Sequence, residues 1–345
     1  MLPEAESGLD KKIWGLEVVE SVIYCDNFSK SETFAGEPMR IAYLITCHTD
    51  PVFVTRLAEK LASDGSAAVF IHEDRKSGES GLRERVQGLG DIVYCEDREA
   101  VHWSGYSSVR AVMKLLRIVV GEGGFDRIVM LQGADYPWYS NRRLREFFER
   151  HREVEFIRAC RISDAPEPYF SRKIRQVWRY DHPGLGMRIW HKWNRMMPIP
   201  VRAGHVTEGG VRHDVYFGTA QWAITGACAR HVLEFADSHP RFCRFFESVH
   251  CADELFFHSV VHGSEFGGRT EKGGAEPRVP GIVNWRNLHY FEYGSKIRVF
   301  RADDLPVLEA ADCPFFRKAT SGESGELLDR IDEMHAKERE ALPAA

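Results

Sequence analysis

A chain of 345 residues, 43% of them hydrophobic, is long enough for one large domain or two small ones around a substantial core, which excludes a wholly disordered protein. A net charge of -5 and a pI near 6.3 give no global basis for binding nucleic acid, because a duplex-binding domain carries a basic surplus. The sequence shows no apolar run of about 18 residues and no basic-then-apolar leader, so no membrane span or secretory signal is read and a cytoplasmic location is expected.

Residues 1–38 are polar apart from the apolar interlude "IWGLEVVESVIY" and read as an N-terminal extension. Met39 opens "MRIAYLITCH", a buried first strand, and the compact domain is expected over 39–320, with a C-terminal helix or tail over 321–345. From there strands and helices alternate: strand "RIAYLITCH", helix "DPVFVTRLAEKLAS", strand "AAVFIHED", a linker and short helix, then strand "DIVYCED". Helix "GYSSVRAVMKLLRIVVG", strand "DRIVMLQGAD", helix "SNRRLREFFERH" and strand "EFIRAC" complete the series. Strands of continuous apolar character separated by helices predict an α/β domain with a mostly parallel sheet covered on both faces.

Ligands of such sheets bind beyond the carboxyl ends of the strands. The residues there are His48, His72 to Asp74, Glu96 with Asp97, and Gln132 to Asp135. Each acid among them either faces a ligand or caps the next helix.

The second half changes character. Between Pro168 and His205 stand Arg172, Lys173, Arg175, Arg179, Arg188, Lys192, Arg195 and Arg202 against one acid, Asp181, interleaved with Tyr169, Phe170, Trp178, Tyr180, Trp190 and Trp193. Few strands are predicted, and the segment reads as a loop-rich basic insertion. It is a solvated face, a groove for an anionic acceptor or a patch resting on anionic lipid; nucleic acid is the least favoured partner, since the rest of the chain is acidic and carries no reader motif.

Several chemistries lose their sequence support. No two aspartates are two residues apart, so the Asp-x-Asp pair that commonly holds a divalent metal in sugar-nucleotide transferases is missing. Neither G-x-x-x-x-G-K-[ST] nor G-x-G-x-x-G follows the first strand, and no HExxH zinc spacing occurs. The eight cysteines form no CxxC pair, and buried free thiols are expected.

"CADELFFHSVV" places Asp253 and Glu254 directly before an apolar run of helical rhythm. By itself this is either a helix start, where acids are common, or a carboxylate held at a helix start for proton transfer. The motifs "RIAYLITCHTDP", "VFIHEDRKS", "VHWSGYSSVRA", "RIVMLQGADYPWYSNRRLREFF", "GTAQWAITGACARHVL" and "CADELFFHSVV", in that order, resemble the core-2/I-branching family, which includes β-1,6-N-acetylglucosaminyltransferases and peptide O-xylosyltransferases. The C-terminal "NWRNLHYFEYGSKIRVFRADDLPVLEAADCPFFRKA" is similar as well, and the likeness runs from Met39 to about Ala319.

The resemblance implies a GT-A type fold and inverting, metal-independent transfer, in agreement with the missing Asp-x-Asp. It places the catalytic base on Glu254, with Asp253 either capping the helix or lying beside the acceptor. The cations for the leaving diphosphate fall on Arg286 and Lys318, with Arg317 a third. A metal-free cleft needs such groups, because Lys and Arg supply the positive charge at neutral pH. At Ala319 the chain departs from relatives that carry an aromatic after the Lys.

Asp74 is placed on the uracil or ribose, or caps its turn. Trp103, Ser104 and Asp135 line the same edge, with Asp135 alternatively fixing the turn between Gly133 and Pro137. His48 ends the first strand where the family often has His. Trp222 lies by the acceptor cleft, stacked on a sugar or buried in the core.

The implied reaction moves a sugar, N-acetylglucosamine first and xylose second, from a UDP-sugar donor to a hydroxyl of a glycan or lipid-linked glycan acceptor. Animal relatives are anchored in the Golgi by an N-terminal span not seen in this sequence. The expected setting is therefore a bacterial cytoplasmic enzyme building surface polysaccharide, any contact with the inner membrane face being through 168–205. A glycan-binding module without turnover is the alternative from another class.

Overall fold

Continuous apolar runs become strands here because both faces are covered. The computed structural model describes residues 39–165, 168–196, 202–277 and 287–341; the expected extension 1–38 and Arg286 lie outside the described residues. Strands β1 (Ile41–Cys47), β2 (Ala67–Glu73), β3 (Ile92–Tyr94) and β4 (Arg127–Gln132) are parallel, and β10 (Ala223–Thr225) pairs antiparallel with β4, giving the order β10-β4-β1-β2-β3.

Side chains alternate across the sheet. Ala42, Leu44, Phe70 and Met130 pack in the layer of helix α3 (Ser107–Glu122), whereas Tyr43, Ile45, Val69 and Leu131 join that of helix α1 (Pro51–Ala62). This is the α/β arrangement the alternating pattern predicts.

Local chemistry sets the helix starts. Asp50 accepts from the Phe53 N–H ahead of Pro51, Ser140 caps α4 (Asn141–Arg150), and Thr225 caps α7 (Gly226–Ser238). Gly133 is required by close approach: a Cβ there would lie 2.6 Å from the Cys47 Cβ, so the ends of β1 and β4 meet only with glycine in place.

A second sheet, in the order β11-β12-β5, joins β5 (Asp135–Pro137) to β11 (His289–Phe291) and β12 (Phe315–Arg317). It carries the C-terminal segment to the strand ends of the main sheet. The strand expected over 155–160 begins only at Ala159, as β6 (Ala159–Arg161) paired with β9 (Tyr216–Gly218). Upstream the buried Glu155 carboxylate binds the Thr225 N–H and hydroxyl, and the backbone makes single bridges in place of a ladder.

The basic segment is more regular than a loop-rich insertion. It contains helices α5 (Pro168–Arg175) and α6 (Leu185–Met196), followed by a hairpin of β7 (His205–Glu208) and β8 (Val211–Asp214). After α8 (Pro240–Phe246) come α9 (Phe256–His262), α10 (Leu305–Ala311) and α11 (Gly325–Glu340). Helix α11 packs Leu327, Leu328 and Ile331 into the α1 layer, and Asp332 accepts from Arg56 and the Tyr136 hydroxyl. No described helix is long and apolar enough to cross a membrane. Every cysteine among the described residues is a free thiol.

Candidate active site

Glu254 closes a one-turn 3-10 segment, Ala252–Glu254, just ahead of α9. The turn is anchored by two non-glycine residues in the left-handed region, Ser104 (φ 65°) and Cys251 (φ 58°). The Cys251 N–H donates to the Ser104 carbonyl at 3.1 Å, and Ser104 Oγ lies 3.3 Å from Cys251 Sγ. Such residues cost about 1–2 kcal/mol each, and their pairing beside the acids marks a place the surrounding fold over-determines.

The Glu254 carboxylate is partly exposed and accepts from Lys173 Nζ at 3.0 Å. Lys173, on α5, is only 3% exposed, and its ammonium lies 4.7 Å from the Phe217 ring centroid. A buried ammonium thus orients a carboxylate that solvent can reach. Asp253 does not cap the helix as expected, because neither this turn nor α9 has a side-chain cap. The chain adds a 3-10 turn before α9 and moves the acid off the capping position. Burial, and then Glu254, push Asp253 up to about 6.

Arg317 and Asp135 face each other in the β12–β5 register, and Arg317 Nη1 donates to Asp135 Oδ1 at 2.6 Å. Asp135 is fully buried, its Oδ2 accepts from the Gln132 N–H at 2.7 Å, and His289 Nε2 lies 3.4 Å away. Burial raises its carboxyl, yet Arg317 and His289 outweigh that and hold it below the usual range. Asp135 therefore fixes its turn and positions Arg317; buried with both oxygens engaged, it does not reach a nucleotide itself, which corrects its expected donor contact.

Lys318 is half-buried, its N–H donating to the Arg298 carbonyl and its own carbonyl accepting from Phe300 N–H. Ala319 is buried with its N–H on the Ala134 carbonyl, so the small side chain packs beneath the same turn. Tyr293 is about half exposed; partial desolvation and then the charge of Glu254 raise its phenol, while Arg317 opposes them. Glu254 and Arg317 thus act on one phenol with opposite sign.

At the carboxyl ends of β1 and β2, on the same edge of the sheet, Asp74 Oδ1 accepts from the Lys76 N–H at 2.9 Å and from the Val101 N–H at 3.1 Å. It caps its turn and ties β2 to the 99–101 loop. Exposed His48 stands beside it, since the Asp74 N–H donates to the Cys47 carbonyl and Ser77 Oγ to that of His48. Trp103 is 76% exposed, in edge contact with Tyr180 and His250 at 6.3 and 5.9 Å.

Trp222 is the clear correction: it is fully buried against Phe257, at 5.2 Å, and belongs to the core, so it offers no face to a sugar. Lys173, His289 and Tyr293 are site residues that sequence reasoning did not single out. The aromatic and basic composition around them was visible, but their partners lie far along the chain.

A family profile described as Core-2/I-Branching enzyme matches residues 41–305. Xylosyltransferase 2 of Homo sapiens is 23% identical over 331 residues, covering 90% of this chain and 35% of the relative. The Mus musculus protein of that name is 23% identical over 318 residues, covering 86% and 34%, and the Bos taurus one 22% over 234 residues, covering 66% and 25%. The chain spans about a third of the length of the curated relatives it matches. With a profile spanning most of the chain and a mainly parallel sheet that brings its motifs to one end, the chain belongs to the Core-2/I-Branching enzyme family, a family of glycosyltransferases.

Proposed function

We propose that this chain transfers a sugar from a UDP-sugar to a hydroxyl with inversion and without a metal ion. The observation that carries the proposal is a solvent-accessible Glu254 oriented by the buried ammonium of Lys173. Glu254 takes the acceptor's hydroxyl proton as that oxygen forms its bond to the anomeric carbon. The bond from that carbon to the diphosphate breaks on the opposite face, and its electron pair leaves with UDP. Arg317 and Lys318 offset the developing charge, and Asp135 keeps Arg317 in place. Asp74 and His48 serve the nucleoside, Trp103 and Ser104 the cleft edge, and Asp253 the acceptor side. The missing Asp-x-Asp supports cationic side chains in place of a metal.

N-acetylglucosamine is the donor sugar implied by the branching members. Xylose is the second reading, favoured by the name of the matched relatives. The acceptor is a glycan, free or lipid-linked. Incubation with a panel of UDP-sugars in EDTA, read as UDP release, tests the mechanism. Release is expected to persist in EDTA and to fall at least about a hundredfold in Glu254→Gln. Release abolished by EDTA, or an unaffected variant, overturns it.

A further inference from the structure

Helix α6 is mounted with its apolar stripe facing out. Leu185, Ile189, Trp193 and Met196 are 72, 54, 61 and 70% exposed, and at 3.6 residues per turn they fall within a stripe roughly 80° wide. The opposite side holds the helix to the body. His191 is buried against Trp178 and Tyr180 at 5.2 and 4.4 Å. The Asn194 side chain donates to the Val177 carbonyl, and the Asn194 backbone carbonyl accepts from the Arg172 and Gln176 side chains. A surface helix of a water-soluble domain ordinarily has the reverse orientation.

Charge accompanies the stripe. Arg188 and Lys192 are exposed along one flank, and the Arg179 guanidinium lies 5.6 Å over the Trp190 ring on the other. From His182 to His205 the chain contains no Asp or Glu. Apolar side chains bordered by cations alone match the boundary of an anionic bilayer, where the stripe enters the acyl edge and the cations meet phosphates. A soluble polyanion would use the cations but gain nothing from Leu185, Ile189 and Met196. A second copy is poorly served, since four side chains along about 17 Å of helix fall short of the roughly 800 Å² each partner of a stable dimer buries.

We propose that α6 docks this protein on an anionic membrane surface. Its inner aromatic contacts continue through His250, whose ring is tilted against Trp178 at 5.2 Å, to the turn bearing Glu254. Docking therefore sets that turn beside the bilayer, where a lipid-linked acceptor is presented; this last point rests on the proposed transfer reaction, whereas the docking does not.

Co-flotation of the full chain with vesicles tests it. Binding to vesicles rich in phosphatidylglycerol is expected, with little binding to pure phosphatidylcholine and weakening as salt rises. The L185S/I189S/W193S variant, altered only at exposed positions, is expected to lose at least about tenfold in vesicle affinity with an unchanged melting temperature. Arg188→Glu with Lys192→Glu should lose the preference for phosphatidylglycerol. Quenching of tryptophan emission by brominated phosphatidylglycerol should drop in Trp193→Phe, which keeps the stripe apolar. Equal flotation of wild type and triple variant, binding to heparin but to neither vesicle, or a dimer that the triple variant dissociates overturns the proposal. UDP release to a soluble acceptor is unaffected in either case, so failure here and failure of the transfer mechanism are told apart.

Discussion

Asp253 and Glu254 are neighbours in sequence with opposite demands on their charge. Glu254 meets a buried ammonium, while Asp253 has been raised from its ordinary 3.8 to about 6 by burial and by Glu254. A carboxyl whose folded pKa lies above its unfolded value destabilises the fold when ionised, so its penalty is present above about pH 6 and gone below about pH 4. Asp253→Asn is expected to stabilise by about 1–3 kcal/mol at alkaline pH and to be neutral in acid, measured by urea unfolding. Destabilisation at alkaline pH would show that the charge itself holds the turn. Asp135 has the opposite sign: held low by Arg317 and His289 in spite of burial, it stabilises at neutral pH, and that contribution fades as the pH falls through its depressed pKa. Asp135→Asn should cost about 3 kcal/mol near neutrality and raise the donor KM, because Arg317 loses its anchor. A donor KM that does not move would remove Arg317 from the diphosphate site.

At the scale of elements, the small sheet β11-β12-β5 builds the cationic side of the site, and α9 with its 3-10 turn supplies the carboxylate. The segment around β10 carries Trp222 into the core between β4 and α9, which is why the residue cannot stack on an acceptor. Trp222→Ala is expected to lose about 3–5 kcal/mol of stability, whereas Trp222→Phe should leave the acceptor KM of the folded enzyme unchanged. A raised acceptor KM in the Phe variant, with stability intact, would return the residue to the cleft. Most of these elements were legible beforehand: the strand runs and the helix after Glu254 follow from the period of their apolar residues. The helices of the basic segment were not, because a reading by charge and aromatic content passed over their amphipathic spacing.

For the whole molecule, ligand linkage is the most direct check on a site assembled from distant pieces. UDP at a hundred times its Kd should stabilise the fold by about 2.7 kcal/mol, seen as a melting shift of a few degrees, and should do so in EDTA. Stabilisation that requires an added divalent ion would contradict a cleft balanced by Arg317 and Lys318. The sequence by itself determined the layered sheet, its parallel sense and the strand ends where polar groups gather, since periodicity and caps report on interactions within a few residues. Tertiary structure alone decided that Arg317 meets Asp135 from 182 residues away and that Lys173 meets Glu254 from 81. It also decided that Trp222 turns inward and that α6 turns its apolar stripe out. Those outcomes depend on which strands pair and how helices dock, which local pattern does not encode, because one apolar stripe fits equally well against a core or a bilayer.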